Sequence, residues 1–139
     1  MRLMTRLAMA ALVIGVTACD SSTDPEDAIV GTYTLRTVNG GQVPFIVFQD
    51  ATYKLEILSS TLVVRDNNTW TETASLRETE NAAVTTSTTV VSGTYTMNGN
   101  TATFTDGDGD SLTSTFSGSD TLTTTDTQGG FTFTFVYRK

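Results

Sequence analysis

The run Phe131-Thr132-Phe133-Thr134-Phe135-Val136-Tyr137-Arg138 sets an aromatic ring at every second position. Side chains that repeat every two residues point to opposite faces of an extended strand, whereas a helix would scatter the same rings around its axis. A strand of this kind can hide its aromatic row only against other β structure. Comparable runs rich in Thr, Val, Phe and Tyr fill the chain from Ile29 onward, separated by turn residues. No stretch keeps apolar residues at helical spacing for long, so the fold class is all-β.

The strands follow from the pattern in order. Gly31 to Val38 is the first, with Tyr33 and Leu35 on one face and Thr32, Thr34 and Arg36 on the other, and Asn39-Gly40-Gly41 turns the chain. Gln42 to Thr52 is irregular, its apolar patch of Val43, Phe45, Ile46, Val47 and Phe48 reading as a short strand or a flap over one end. Tyr53 to Val64 is one long strand or two, with a bulge or kink at Ser59-Ser60, and Asp66-Asn67-Asn68 turns into Trp70 to Glu78. A polar loop near Glu80 to Ala83 leads to Thr86 to Met97, and Asn98-Gly99 is a strong hairpin signal. Thr101 to Thr105, Ser111 to Ser117, Thr121 to Asp126 and Phe131 to Arg138 complete the series. Eight or nine antiparallel strands on short turns fit an up-and-down barrel, whose closure removes two edges open to other chains.

Ahead of the strands lies a segment of different character. Arg2 and Arg6 precede the uncharged run Leu7 to Ala18, which is shorter than the roughly 20 apolar residues of a membrane-spanning helix. Residues 1–18 therefore read as a secretory signal and are set apart from the fold. Val16-Thr17-Ala18-Cys19 resembles the lipobox of bacterial lipoproteins, which implies that Cys19 becomes a lipid-bearing N-terminus. Two or three acyl chains hold a protein stably to a bilayer. The alternative is ordinary signal cleavage, since Val16 and Ala18 also suit it. Cys19 is the only cysteine, so that version leaves a lone thiol in an oxidising compartment. Residues 19–30, including the polar stretch Asp20 to Ala28 with Pro25, read as the lipidated N-terminus and a flexible tether, and residues 31–139 as the domain. The expected address is the bacterial cell envelope, on the periplasmic or the cell-surface side, with the membrane as a partner through the lipid. In an organism that sorts lipoproteins as enteric bacteria do, Asp20 would resemble an inner-membrane retention signal.

The domain resembles the lipocalin-like domains of small bacterial lipoproteins. The likeness rests on Gly31-Thr32-Tyr33-Thr34-Leu35, Asn39-Gly40, Pro44, Ser92-Gly93-Thr94-Tyr95-Thr96, the Asn98-Gly99-Asn100 hairpin and the closing Phe135-Val136-Tyr137-Arg138. It implies an eight-stranded barrel able to hold a small apolar ligand. In lipocalins an early tryptophan sits under a late arginine; here Tyr33 holds the tryptophan position and Arg138 is the late arginine.

Charge and missing residues narrow the function. The formal charge of −7 becomes −9 once Arg2 and Arg6 leave with the signal, so a phosphate backbone is repelled and nucleic acid is not an expected partner. The chain has no histidine, which removes the commonest general base and zinc ligand. Gly109-Asp110-Ser111-Leu112 spells an esterase signature, yet its serine lacks a histidine to take its proton and lies between β signals, so no catalytic residue is assigned. Asp106-Gly107-Asp108-Gly109-Asp110 looks like the first half of a calcium loop, but Ser117 stands where the bidentate glutamate belongs. An acidic solvated turn is the simpler reading; no metal site and no cofactor is expected. Glu72 shares a face with Trp70, Ala74 and Leu76, which makes it either a polar contact inside the barrel or a sign of a one-residue register shift or a rim position.

Candidates for the barrel interior and a ligand are Tyr33, Leu35, Trp70, Glu72, Tyr95, Phe104, Phe116, Phe133, Phe135 and Tyr137, with Leu122 and Phe131 beside them. Rings in that number either fill a barrel of eight strands or leave room for one small molecule. The expected function is a non-enzymatic, monomeric envelope lipoprotein binding a small apolar ligand. The alternative is a filled barrel acting as a structural or interaction module toward a protein or glycan, with a carboxylate enzyme third. In detergent phase partitioning the wild type is expected in the detergent phase and Cys19→Ser in water; both in water would refute the anchor.

Overall fold

A computed structural model describes residues 28–139. The signal over 1–18, lipid attachment at Cys19 and most of the 19–30 tether therefore lie outside the described residues. The end of that tether is not free, because Ile29 is buried and its carbonyl accepts the Tyr33 hydroxyl at 2.7 Å.

Among the described residues the regular elements are ten strands: β1 (Gly31–Val38), β2 (Gly41–Gln42), β3 (Phe45–Gln49), β4 (Tyr53–Val64), β5 (Thr69–Glu80), β6 (Ala83–Asn98), β7 (Thr101–Asp106), β8 (Ser111–Ser117), β9 (Thr121–Gln128) and β10 (Phe131–Arg138). Every pairing is antiparallel, in the order β2-β1-β10-β9-β8-β7-β6-β5-β4-β3. A further pairing of β1 with β4, Gly31 opposite Val64 to Thr34 opposite Thr61, closes β1 and β4 through β10 into an eight-stranded barrel. The all-β barrel expected from the alternation is what forms. β2 and β3 are short additions, and the irregular Gln42 to Thr52 stretch supplies most of them.

Bulges let the inward row survive two changes of direction. In β1 the register shifts between Leu35 and Thr37, so Leu35 and Val38 both face the core. In β4 the shift falls between Ile57 and Ser59, one step before the Ser59-Ser60 pair. The polar loop near Glu80 to Ala83 is a two-residue turn, since Asn81 and Ala82 both take positive φ, 47° and 69°. Alanine gives no sequence signal for such a turn, so β6 begins earlier than its Thr-rich appearance suggests.

One end of the barrel is solid. Tyr33, Leu35, Val64, Tyr95, Phe116 and Leu122 are buried there, and Tyr33 meets Phe116 edge to face at 5.8 Å between centroids. The cation over the Tyr33 ring is the Nζ of Lys139 at 5.2 Å, not Arg138, whose side chain is exposed. Tyr137 points inward and Arg138 outward, and exposed Lys139, just past the strand, returns to the side of Tyr33.

β10 grades from this floor to solvent. Tyr137 is buried, Phe135 and Phe133 are half-buried, and Phe131 is 66% exposed. Phe131 was expected in the interior; it keeps the inward side of the strand but pairs with Gln128 at the hairpin tip, beyond any strand that could cover it.

β6 and β7 run together only from Gly93–Asp106 to Asn98–Thr101, after which β7 turns away and β6 continues alone beside β5. The parting is tight. A Cβ on Gly93 would lie 1.9 Å from the Thr105 carbonyl oxygen and 2.8 Å from Asp106 Cα. Backbone cannot yield as a side-chain tip can, so Gly93→Ala is expected to cost about 1–3 kcal/mol or more in urea unfolding. Gly107→Ala meets no atom within 4 Å and has no positive φ, and it is expected to stay within about 0.5 kcal/mol of wild type.

Candidate functional site

Because β6 and β7 separate above Gly93, the barrel is filled at one end and hollow at the other. The hollow is a cavity of about 560 Å³, within the range of roughly 300–1,000 Å³ typical of small-molecule sites. Its apolar wall is built from Leu62 of β4, Trp70 of β5, Phe104 of β7 and Phe135 of β10. Trp70 meets Phe104 edge to face at 5.6 Å, and its indole Nε1 donates to the carbonyls of Thr94 and Thr105 at 3.0 and 3.3 Å. The ring thus fastens the point where the two strands part.

A polar band crosses this wall. Glu72 Oε1 accepts the Tyr137 hydroxyl at 2.6 Å and the Ser60 hydroxyl at 2.6 Å. Its other oxygen has no protein donor among the described residues. Ser114 and Thr124 share a 2.6 Å hydroxyl contact across β8 and β9. Burial, reinforced by the Glu72 carboxylate beside it, pushes the Tyr137 phenol well above its ordinary range, so the hydroxyl keeps its proton and donates. Glu72 therefore sits inside, as a polar contact in the cavity, with its register unshifted: Glu72 opposes Leu62 and Trp70 opposes Val64.

The rim is acidic. Half-buried Asp106 and Asp126 and exposed Asp110 line it with Gln128. Asp106 Oδ1 accepts the backbone N–H groups of Asp108 and Asp110 at 2.9 and 3.0 Å, which folds the β7–β8 turn. Asp126 Oδ2 accepts from the Gln128 side chain at 2.8 Å. Among the described residues no lysine or arginine lines the cavity. Among the described residues the only ion-paired carboxylate is Glu56, outside the barrel, which takes Arg77 Nε at 2.8 Å and Lys54 Nζ at 3.0 Å. The hydrogen bonds from Arg77 and then Lys54 hold Glu56 down to about 2. A carboxyl lowered on folding favours the folded state above its ordinary range, and that contribution disappears as pH falls through about 2. The cavity carboxylates, by contrast, leave negative charge unneutralised around one opening.

Of the ten side chains picked from the sequence, five line the cavity: Trp70, Glu72, Phe104, Phe135 and Tyr137. Tyr33, Leu35, Tyr95 and Phe116 are in the packed floor instead, where neighbouring strands converge and leave no space. Phe133 is half-buried beside Phe135, 6.3 Å between centroids, and does not reach the lining. The acidic rim escaped the sequence reading because Asp106 to Asp110 looks like any solvated turn; only the parting of β6 and β7 brings it over a hollow. Ser111 of the esterase-like string lies on β8 with its hydroxyl 2.9 Å from that of Thr105, away from any strand-to-helix turn. Among the described residues no three Asp, Glu or Cys side chains gather as metal ligands would.

No protein-family model matches the chain, and no curated protein matches it. Among solved structures, that of the Cpx pathway activator NlpE from Escherichia coli overlaps 59% of this chain and 40% of its own at 17% identity, with a TM-score of 0.40. This chain thus spans about two fifths of that protein's length, and the overlap is partial on both sides.

The Tyr137–Glu72 bond gives a direct check on the inward polar band. Tyr137→Phe keeps the ring but strips a donor from a carboxylate inside the barrel, and it is expected to cost about 1–3 kcal/mol in urea unfolding. In a Glu72→Leu background the same change is expected to cost under about 0.5 kcal/mol, because no charged acceptor is then left short.

Proposed function

We propose that this protein is a lipid-anchored envelope protein that holds a small amphiphile in the open half of its barrel, apolar body against the wall and cationic head at the rim. The observation that carries the reading is the cavity of about 560 Å³ above a packed aromatic floor. Its wall suits an apolar group, as the lipocalin-like resemblance implies. The ring of Asp106, Asp110 and Asp126 changes the expectation of a wholly apolar ligand. A positive head there meets several negative charges in a partly desolvated mouth, where attraction is stronger than in water. The lipobox-like stretch Val16 to Cys19 supports the envelope address and the membrane as the source of such molecules.

The reading is of a binder, not an enzyme, although acidic side chains do share one cleft. Glu72 is engaged by Tyr137 and Ser60, Asp106 by its own turn and Asp126 by Gln128. Hydrogen bonds of this kind hold the carboxylates in place and suit a fixed electrostatic site.

One observation favours the second reading, an interaction module. Of the apolar patch between Val43 and Phe48, Val43 and Phe45 pack against the core, while Ile46 and Phe48 on β3 are each 46% exposed and face solvent.

Displacement of a solvatochromic probe separates the two. A long-chain alkylammonium is expected to displace it at least about tenfold more effectively than an alkyl sulfate of equal length, a gap of about 1.4 kcal/mol. Asp106→Asn with Asp126→Asn is expected to narrow that gap. Displacement by neither would refute the cavity reading and leave the β3 patch as the functional surface.

A further inference from the structure

The β5–β6 hairpin rises past the barrel, and beyond Gly93 only one side of β6 is paired. Residues Ala83 to Ser92 pair with β5 without a break, while β7 meets β6 only from Gly93 to Asn98. Ten residues thus present an open edge among the described residues, and all ten are exposed. Open edges usually carry charge, proline or a bulge that discourages further pairing. Ala83 to Ser92 has none of these, in a chain of net charge −7. The terminal strands of the sheet are short: β2 has two residues, and β3 has five with Pro44 before it and Asp50 after.

The direction of the free hydrogen-bonding groups follows from the turn. Asn81 and Ala82 form a two-residue loop, so the flanking pair Glu80 and Ala83 bond each other, and odd-numbered residues of β6 look toward β5. Tyr95 agrees, its N–H donating to the Asn68 carbonyl at the start of β5 at 2.9 Å. The even-numbered residues Val84, Thr86, Thr88 and Val90 therefore turn their N–H and C=O groups to the open side.

The edge is also a palindrome: Val84-Thr85-Thr86-Ser87-Thr88-Thr89-Val90 reads the same in both directions about Ser87. Two copies laid antiparallel on a two-fold axis through Ser87 set Val84 opposite Val90, Thr86 opposite Thr88 and Ser87 opposite itself. The residues thus paired through hydrogen bonds are the four whose groups point outward, giving about eight bonds across the axis. On the outer face Val84 and Val90, 63% and 64% exposed, would cover each other as a β-branched cross-strand pair. A two-fold interface needs a surface complementary to itself, and a palindromic strand edge is one.

We infer that β6 is the dimerisation edge of this protein, pairing antiparallel with β6 of a second copy in the register centred on Ser87. The barrels stay closed, and the β3 to β6 sheets of the two copies join into one. This departs from the expectation of a monomer.

Mild oxidation of the full chain in its membranes tests the register. Ser87→Cys places two thiols in a directly opposed pair, within the Cα separation of about 4.4–6.8 Å that a disulfide spans. Thr85→Cys, opposed to Thr89, leaves its thiols about 13 Å apart along the strands. Ser87→Cys is expected to give about tenfold more covalent dimer than Thr85→Cys or the wild type, which carries only Cys19. In detergent, the wild type is expected to sediment as a dimer that dissociates on dilution, and Thr88→Lys as a monomer with an unchanged circular dichroism spectrum. Equal cross-linking at 85 and 87, or a wild type that is monomeric at every concentration, would overturn the inference. So would a monomer found with a different protein along the same edge.

Discussion

The parting of β6 from β7 at Gly93 is the constraint on which the rest of the molecule depends. Below it the two strands pair, the sheet closes on itself, and aromatic rings fill the space. Above it the same sheet cannot close. The lack of a Cβ lets the Thr105 carbonyl approach Gly93 closely, and Trp70 holds the Thr94 and Thr105 carbonyls with one N–H. A glycine and an indole together set the depth of the cavity, the place of its acidic rim and the length of the open β6 edge.

Burial in this fold is arranged by height along the strands more than by strand. The β10 row falls from exposed Phe131 to buried Tyr137. The β5 row runs inward from Leu76 through Ala74 and Glu72 to Trp70, and only Trp70 is fully covered. Glu72 is tolerated at mid-height because two hydroxyls reach it and open space adjoins it; deeper in the floor the same carboxylate would be costly. The polar band thus marks the boundary between packed core and cavity.

The charge arrangement follows the same division. Glu56 lies flat on the outer sheet and is neutralised by Arg77 and Lys54, its cross-strand and same-strand neighbours. The carboxylates around the opening have no such partners. Three carboxylates, Asp106, Asp110 and Asp126, instead gather at the mouth of the cavity.

Local pattern was enough to give the all-β class, nearly every strand and the inward rows, because alternation and turn residues act over a few neighbouring positions. It was also enough to place Trp70 and Tyr137 on interior faces, while Glu72 stayed open between an interior contact and a shifted or rim position. Tertiary structure decided which rings fill the floor and which line a hollow, that Lys139 and not Arg138 covers Tyr33, and that β1 closes on β4. It decided too that an ordinary acidic turn overhangs a cavity, and that ten uncharged residues of β6 lack a second neighbour among the described residues. Each of these depends on where strands far apart in the chain converge or separate, and a period of two residues carries no information about distance between strands.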